Sequence, residues 1–399
     1  QSDKKFMMQS IQKCKIIYIA DRIIPNGNAG GVRVNYISRL FDYLGYKTTV
    51  ISFNNDKKFV GLKNIEYLEI PMKFGYLFFF YKYFLAGFFS IFLAHKSITI
   101  NKKFDISLII YSTNIFFVLP IFCYAKLFNI KIYFDVVENF HSGRYKLGIF
   151  SPKFLLFKLL FKYIYSSGDG ILGISQEIVK FFKRRGVKTI LLPPLFEFDK
   201  EHLKEKKLNL GVNLIYSGSP FGKEDLNLMI RALAGLSLDS RKHLVFNLSG
   251  VSKQVFIDFC DKNDIDFADI SPMINFYDWL SVEDLYKLYD KSHFLFFLRK
   301  DNLANRSNFP MKLIEMLSFG IPPILSNVGD YGNIIKHQIN GFIIPENDLR
   351  NAIKYLEIIS KMKNQEYTLM QMKAFELGNK YDYRTYGKFN KQEILSFLN

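Results

Sequence analysis

The chain has 399 residues, with 54 Lys and Arg against 37 Asp and Glu, a formal net charge of +17 and an isoelectric point near 9.4. Hydrophobic residues make up 49%, enough to build a substantial core in two domains of ordinary size. Three scattered cysteines, Cys14, Cys123 and Cys260, exclude a disulfide framework and any Cys-x-x-Cys metal site and read as cytosolic structural thiols, while the positive excess asks for a polyanion: nucleic acid, an anionic membrane or a phosphorylated ligand.

The chain opens at Gln1, the expectation for a piece of a longer protein. Its first apolar run, Ile16 to Ala20, is too short for a signal peptide and flows into Asp21-Arg22. Lys15 to Ala20 reads as a buried parallel strand and Asn26 to Gly31 as a glycine-bearing loop. Val32 to Leu44 has helical periodicity, Gly45 ends it, and Thr48 to Phe53 is the next strand. Further strands are expected at Ile106 to Tyr111, Ile130 to Val136, Gly170 to Ile174 and Thr189 to Leu192. The second half repeats the pattern at Asn213 to Ser217, His243 to Ser249, Ile274 to Tyr277, Phe294 to Leu298 and Pro323 to Ser326. Strand–helix alternation in both halves predicts an α/β protein of two Rossmann-like, doubly wound domains facing a central cleft. Pro193-Pro194 and the Lys-rich run Glu197 to Asn209 mark the boundary. The expected plan is an N-terminal domain over 1–195, a linker over 196–210, a second domain over 211–375, and a helical segment over 376–399 that crosses back to the first.

Phe74 to Ala94 is nearly all apolar, with Lys82 its only charge, and reaches the ~20 residues of a membrane span. It lies between strands of one sheet and contains Gly75, Gly87 and Ser90, so it is read as a helix that packs on the sheet and dips its outer face into a membrane interface. Two stretches carry no acid: Ile70 to Phe104, with Lys73, Lys82, Lys96, Lys102 and Lys103, and Asn139 to Gly168, with Arg144, Lys146, Lys153, Lys158 and Lys162 among bulky apolar residues. Basic residues beside aromatic ones suit an anionic lipid surface.

The most informative run is Asn308-Phe-Pro-Met-Lys-Leu-Ile-Glu-Met-Leu-Ser-Phe-Gly-Ile-Pro-Pro-Ile324. It reads as a loop, a short helix, and a turn into a buried strand. Ser307 or Asn308 can cap the helix, Pro310 suits its first turn and Gly320 its end. Lys312 and Glu315, three apart, share a face near the N-terminus, where free N–H groups attract phosphate. With Leu298-Arg-Lys-Asp-Asn302 before it and Asn340-Gly-Phe-Ile-Ile-Pro345 after it, this region resembles the family-four retaining glycosyltransferases of the GT-B fold, and among them those that build bacterial capsule, exopolysaccharide or O-antigen. The resemblance extends over nearly the whole chain and is specific around Lys312 and Glu315.

The resemblance implies site residues. Glu315 matches the second acid of the family's Glu-x7-Glu motif, which holds the ribose hydroxyls; a fixed carboxylate accepts two hydrogen bonds from a vicinal diol. The first acid falls at Ser307, so the backbone N–H groups of Asn308 and Phe309 are candidates for the donor sugar. Gly218-Ser-Pro-Phe-Gly-Lys223 matches the family's Gly-Arg…Lys-Gly segment, whose cations neutralise the diphosphate. Lys223 fits; Ser219 stands where the Arg is expected, and Arg299 can supply the guanidinium. Lys223 and Lys312 would stabilise the charge that develops on the leaving diphosphate. Gly30-Gly31 resembles the family's glycine pair that lets backbone approach the donor. Glu138 and His141, in Asp135-Val-Val-Glu-Asn-Phe-His141 at a strand's C-terminal end, are candidates near the acceptor or donor sugar. No metal site is expected; Asp264-Ile-Asp266 is read as surface.

The expected activity is hexosyl transfer, with retention and without a metal or other cofactor, from a nucleoside diphosphate sugar to a glycan acceptor, in particular a lipid-linked one. The leaving phosphate itself would deprotonate the acceptor. The expected place is the inner face of the cell membrane, peripheral and cytoplasmic. Nucleic acid is set aside because no zinc finger, RNP-like motif or Arg-rich recognition helix is present. Two alternatives stay open: a catalytically degenerate membrane-associated scaffold, and a GT-B sugar-nucleotide epimerase.

Overall fold

Continuous apolar runs such as Ile16 to Ala20 suit strands buried on both faces, and they organise each half of the chain into an all-parallel sheet. A computed structural model describes residues 14–24, 28–55, 64–71, 84–101, 104–208, 211–219 and 222–398. The chain divides into two units, residues 1–195 with 383–399, and residues 196–382.

The first unit runs β1 (Cys14–Ile24), α1 (Ala29–Leu44), β2 (Lys47–Asn55), β3 (Ile65–Ile70), α2 (Ala86–Ile100), β4 (Asp105–Tyr111), α3 (Ile115–Leu127), β5 (Lys131–Val136), α4 (Pro152–Leu159), β6 (Gly170–Gly173), α5 (Gln176–Lys183) and β7 (Thr189–Leu191). Its seven strands are ordered β3-β2-β1-β4-β5-β6-β7. The chain winds outward from β1 through β2 and β3, then restarts at β4 on the other side. The strand order therefore reverses between β1 and β4, and a crevice opens at their C-terminal ends. Val34, Ile37, Phe41 and Leu44 form the buried stripe of α1 against this sheet.

Arg33, next on that helix, is buried in a core ion pair. Its Nη2 lies 2.7 Å from Asp135 Oδ1, Nε also donates to the carboxylate, and the carbonyls of Leu192 and Pro193 accept the rest. The Tyr18 hydroxyl donates to the same Asp135. With both charges inside and every lone pair directed, the pair fixes β1, β5 and the end of β7 together.

The second unit runs β8 (Val212–Ser217), α6 (Leu226–Ala234), β9 (Leu244–Ser249), α7 (Lys253–Lys262), β10 (Ile274–Tyr277), α8 (Val282–Lys291), β11 (Phe294–Phe297), α9 (Met311–Ser318), β12 (Pro323–Ser326), α10 (Gly329–Ile334), β13 (Phe342–Ile344), α11 (Leu349–Ser360) and α12 (Asn364–Asn379). Its order is β10-β9-β8-β11-β12-β13, so the reversal here falls between β8 and β11. Residues 196–208, expected as a linker, run along this unit: Phe196 and Phe198 are buried, and the buried Lys206 ammonium donates to the carbonyls of Tyr289 (3.0 Å) and Phe319 (3.1 Å). Of the 376–399 segment, the start completes α12 in the second unit. The rest, α13 (Tyr383–Leu398), joins the first unit, where Ile394, Leu395, Phe397 and Leu398 enter the core beside Leu40 and Phe41.

Two strands escaped the sequence. β3 is an edge strand bearing Glu66 and Glu69, so its apolar run is broken; β13 is three residues long. Residues 74–83 of the long apolar segment lie outside the described residues. Beyond them α2 crosses α3 so closely that a Cβ on Gly87 would lie 2.6 Å from the Phe117 carbonyl oxygen. Among the described residues no helix is long and apolar enough to cross a membrane.

Candidate donor-binding site

At the β8/β11 switch point three separate segments bring their charges together. The first follows β8. Gly218 sits at φ 109°, a left-handed conformation that favours glycine, and its N–H donates to the Ser249 carbonyl at 2.9 Å. The chain then returns to β11, where Glu224 bridges to Arg299 and the Asp225 N–H reaches the Leu298 carbonyl at 2.7 Å. Asp225 also caps α6 through the Leu228 N–H.

The second segment follows β11. Arg299 is buried, its Nη2 lies 2.9 Å from Glu224 Oε1 and its Nη1 donates to Asn308 Oδ1 at 3.1 Å. Its guanidinium lies against the rings of Phe297 and Tyr331. Glu224, the buried counter-ion, would be raised by burial alone, but Lys312 and Arg299 overcome this and hold it down to about 2.

The third segment is α9. Pro310 stands at its N-cap and offers no capping side chain. The sequence expectation of a Ser307 or Asn308 cap is therefore corrected: Ser307 ends the preceding turn Leu303–Arg306, and the Asn308 side chain serves Arg299 instead. Uncapped N–H groups leave the first turn of α9 open to an anion. Lys312 Nζ is 3.4 Å from Glu224 Oε1 and 3.8 Å from the centre of the Tyr216 ring, and it lies 3.5 Å from where a Cβ on Gly218 would be. A side chain at 218 would thus close the approach to the ammonium. Burial lowers Lys312 to about 8, with Glu224 opposing and Arg299 and Lys223 adding to the fall. One turn on, Glu315 accepts a hydrogen bond from the Tyr289 hydroxyl, which also pairs with Ser217 Oγ at 3.0 Å. Burial pushes Glu315 up to about 7, against the pull of Lys312 and Tyr289. Gly320, at φ 60°, ends the helix, and a Cβ there would strike Leu203.

Gly218, Lys223, Arg299, Asn308, Lys312 and Glu315 therefore gather in one place. Ser307 and Phe309 are buried beneath it, Phe309 edge-on to the Tyr331 ring. The Asn308 N–H, a candidate for the donor sugar, already donates to the Asn305 carbonyl at 3.2 Å. Sequence reasoning missed Glu224 and the tyrosines 216, 289 and 331. Only the position of Glu224 directly after Lys223 hinted at it. Asp264 and Asp266 are exposed, and Asp266 caps the short helix Phe267–Ile270 through the Ala268 N–H.

The other candidates belong to the first unit, at its own β1/β4 switch point. Asn28 Oδ1 accepts from the N–H groups of both Gly30 and Gly31, at 3.0 and 3.1 Å. A Cβ on Gly30 would lie 2.7 Å from the Tyr111 hydroxyl and 3.1 Å from Arg22 Nε, so glycine is needed there for Tyr111 and Arg22 to close on the loop. Glu138 is near enough to raise both Arg22 and Tyr111. His141 is exposed and precedes the short turn Ser142–Arg144.

Residues 197–374 match the family described as glycosyl transferases group 1. The fold is shared with solved structures at low identity. These include the HepE protein of Anabaena in complex with UDP and glucose (12% identical, covering 96% of this chain and 100% of that one, TM-score 0.64). A glycosyltransferase from Rickettsia africae is 16% identical (97% and 99%, 0.68), and the lipopolysaccharide outer core galactosyltransferase WaaB 15% (96% and 99%, 0.62). No curated protein sequence matches the chain. The 197–374 region, which contains the β8/β11 charge cluster, is thus similar to glycosyl transferases group 1, and the chain carries the GT-B fold of these solved structures.

Proposed function

We propose that the protein is a retaining hexosyltransferase that uses a nucleoside diphosphate sugar to extend a lipid-linked glycan in cell-surface polysaccharide synthesis. The observation that carries the reading is α9: a caged ammonium and a carboxylate one turn apart, at an open helix N-terminus on the sheet's switch point. Lys312 meets the diphosphate as its negative charge grows, and Glu315 accepts from the ribose diol. The C1–O bond to phosphate breaks, a bond from C1 to the acceptor oxygen forms on the same face, and the acceptor proton passes to the departing phosphate oxygen. Lys312, Lys223 and the helix terminus supply the charge for this step without a metal. The Anabaena structure holds UDP and glucose, which makes a uridine diphosphate sugar the first donor to try.

The reading includes an anionic membrane. In the first unit residues 147–163, which include the turn Gly148–Phe150 and α4, expose Leu147, Ile149, Phe150, Leu155, Leu159 and Tyr163, Phe150 at 77%. Lys146, Lys153 and Lys162 are exposed among them. Lys158 is different: its ammonium donates to Asn139 Oδ1 at 3.1 Å and lies over the Phe154 and Phe161 rings. Apolar crests rimmed by exposed lysines suit an interface with anionic headgroups.

The test is a thermal-shift screen with UDP, GDP, ADP and their sugars, since a ligand that binds only the folded state raises its melting point. It is followed by release of the nucleoside diphosphate from the stabilising donor. A donor that binds but is never turned over points to the scaffold, and turnover without transfer or hydrolysis points to the epimerase.

A further inference from the structure

Glu224 has no counterpart in the pattern that brought Lys223 to notice, where a glycine follows the lysine. Its carboxylate is 4% exposed, yet it sits between two cations, 2.9 Å from Arg299 and 3.4 Å from Lys312. Arg299 is held independently by Asn308 and by two aromatic rings. The bridge therefore has a fixed end at Arg299 and a free end at Lys312, whose side chain is 18% exposed. Glu224 Oε1 is the hydrogen-bond partner of that ammonium among the described residues, which leaves two of its three N–H donors for a ligand.

We propose that Glu224 is a positioning residue that keeps the Lys312 ammonium charged and aimed past Gly218 at the donor's diphosphate. This rests on the reading of Lys312 as the diphosphate cation. The groups facing Lys312 are Tyr216 on β8, Lys223 and Glu224 on the following loop, Arg299 after β11, and Glu315 on α9 itself. Of the two acids, only Glu224 bonds to it; Glu315 bonds to Tyr289. Arg299, Lys223 and burial all favour the neutral amine. Removing the Glu224 charge leaves those influences without their main opponent.

The experiment is the pH dependence of kcat/KM for donor turnover in the full chain, with binding of UDP measured by calorimetry alongside. Wild-type activity should fall on the basic side near pH 8, where Lys312 loses its proton. In Glu224→Gln this limb should move about one pH unit lower, and UDP affinity should fall with it. Glu224→Asp keeps the charge but recedes from Lys312, so its limb should lie between the two; this variant decides the matter if the glutamine variant does not fold. Lys312→Arg should lose the limb from this range, because a guanidinium stays charged. A structural role for Glu224 alone would lower activity at every pH and leave the limb where it was. That result, or a limb that persists in Lys312→Arg, overturns the proposal. Full activity and UDP binding in Lys312→Ala would instead overturn the reading of the site.

Discussion

Glu315→Gln should make the protein more stable and less active. In the folded chain Glu315 keeps its proton up to about pH 7, while in the unfolded chain it releases it near its ordinary value of 4.5. Between those values the folded state binds more protons, so the wild type loses stability as pH rises, and the loss is complete above pH 7. About 2.5 pH units at roughly 1.4 kcal/mol each sets the penalty at no more than about 3.5 kcal/mol. A glutamine has the same shape, still accepts from the Tyr289 hydroxyl, and never ionises. The variant should match the wild type at pH 4.5 and exceed it progressively to pH 7. Above that the gap is constant, and a gap of about 3.5 kcal/mol corresponds to roughly 7–14 °C in the melting temperature of a unit of this size. Because the quantity is a difference between two proteins, other titrating groups such as Lys206, which burial lowers to about 7, cancel from it. The assay is thermal and urea unfolding across pH 4.5 to 8.5, with donor turnover on the same samples. Turnover should fall, since an amide cannot replace a carboxylate that accepts from both ribose hydroxyls. A gap independent of pH, or a glutamine variant less stable than wild type at pH 8, would refute the reasoning.

Lys312→Ala should lower kcat/KM by about 2–4 kcal/mol, roughly 30- to 1,000-fold. The fold should survive, because Arg299 still pairs with Glu224; near-normal turnover would remove α9 from the site. Turnover should persist in EDTA, and loss restored by Mn²⁺ or Mg²⁺ would show that a metal takes part. Flotation with vesicles should rise with anionic lipid and fall with salt, each lysine contributing about 1 kcal/mol at most. Replacing Lys146, Lys153 and Lys162 by Glu should weaken it without unfolding the protein. Failure to bind at low salt would assign the basic surface another purpose.

The parallel strands were legible because burial on both faces writes continuous apolar runs such as Leu295 to Leu298, and the α9 run was legible because Pro310 and Gly320 bracket a short amphipathic helix. β3 and β13 were not, since an edge strand interrupted by Glu66 and Glu69 and a three-residue strand carry little periodicity. The cap of α9 differs from the sequence reading: Ser307 and Asn308 have the right chemistry, but the first is buried in the preceding turn and the second is directed to the guanidinium of Arg299, a tertiary contact that helix periodicity does not encode. Lys158 was grouped with surface lysines because charge pattern does not say which side of a helix holds a carbonyl partner.

Ser219 reads as an irregularity in sequence while Glu224 was missed there, and the geometry ties the two together. A cation on the loop after β8 would stand at the rim of the sheet, near solvent. Here the guanidinium comes from after β11 and is buried. A buried guanidinium needs a counter-ion and directed acceptors, and these are Glu224, brought across by the bridge to β11, and Asn308, turned from capping α9. Because Glu224 is fixed for Arg299, its oxygen is also fixed for Lys312. The acid at 224, the buried guanidinium of Arg299 and the uncapped start of α9 are thus parts of a single charge arrangement. A further cation on the loop after β8, as in Ser219→Arg, is one that this arrangement does not require.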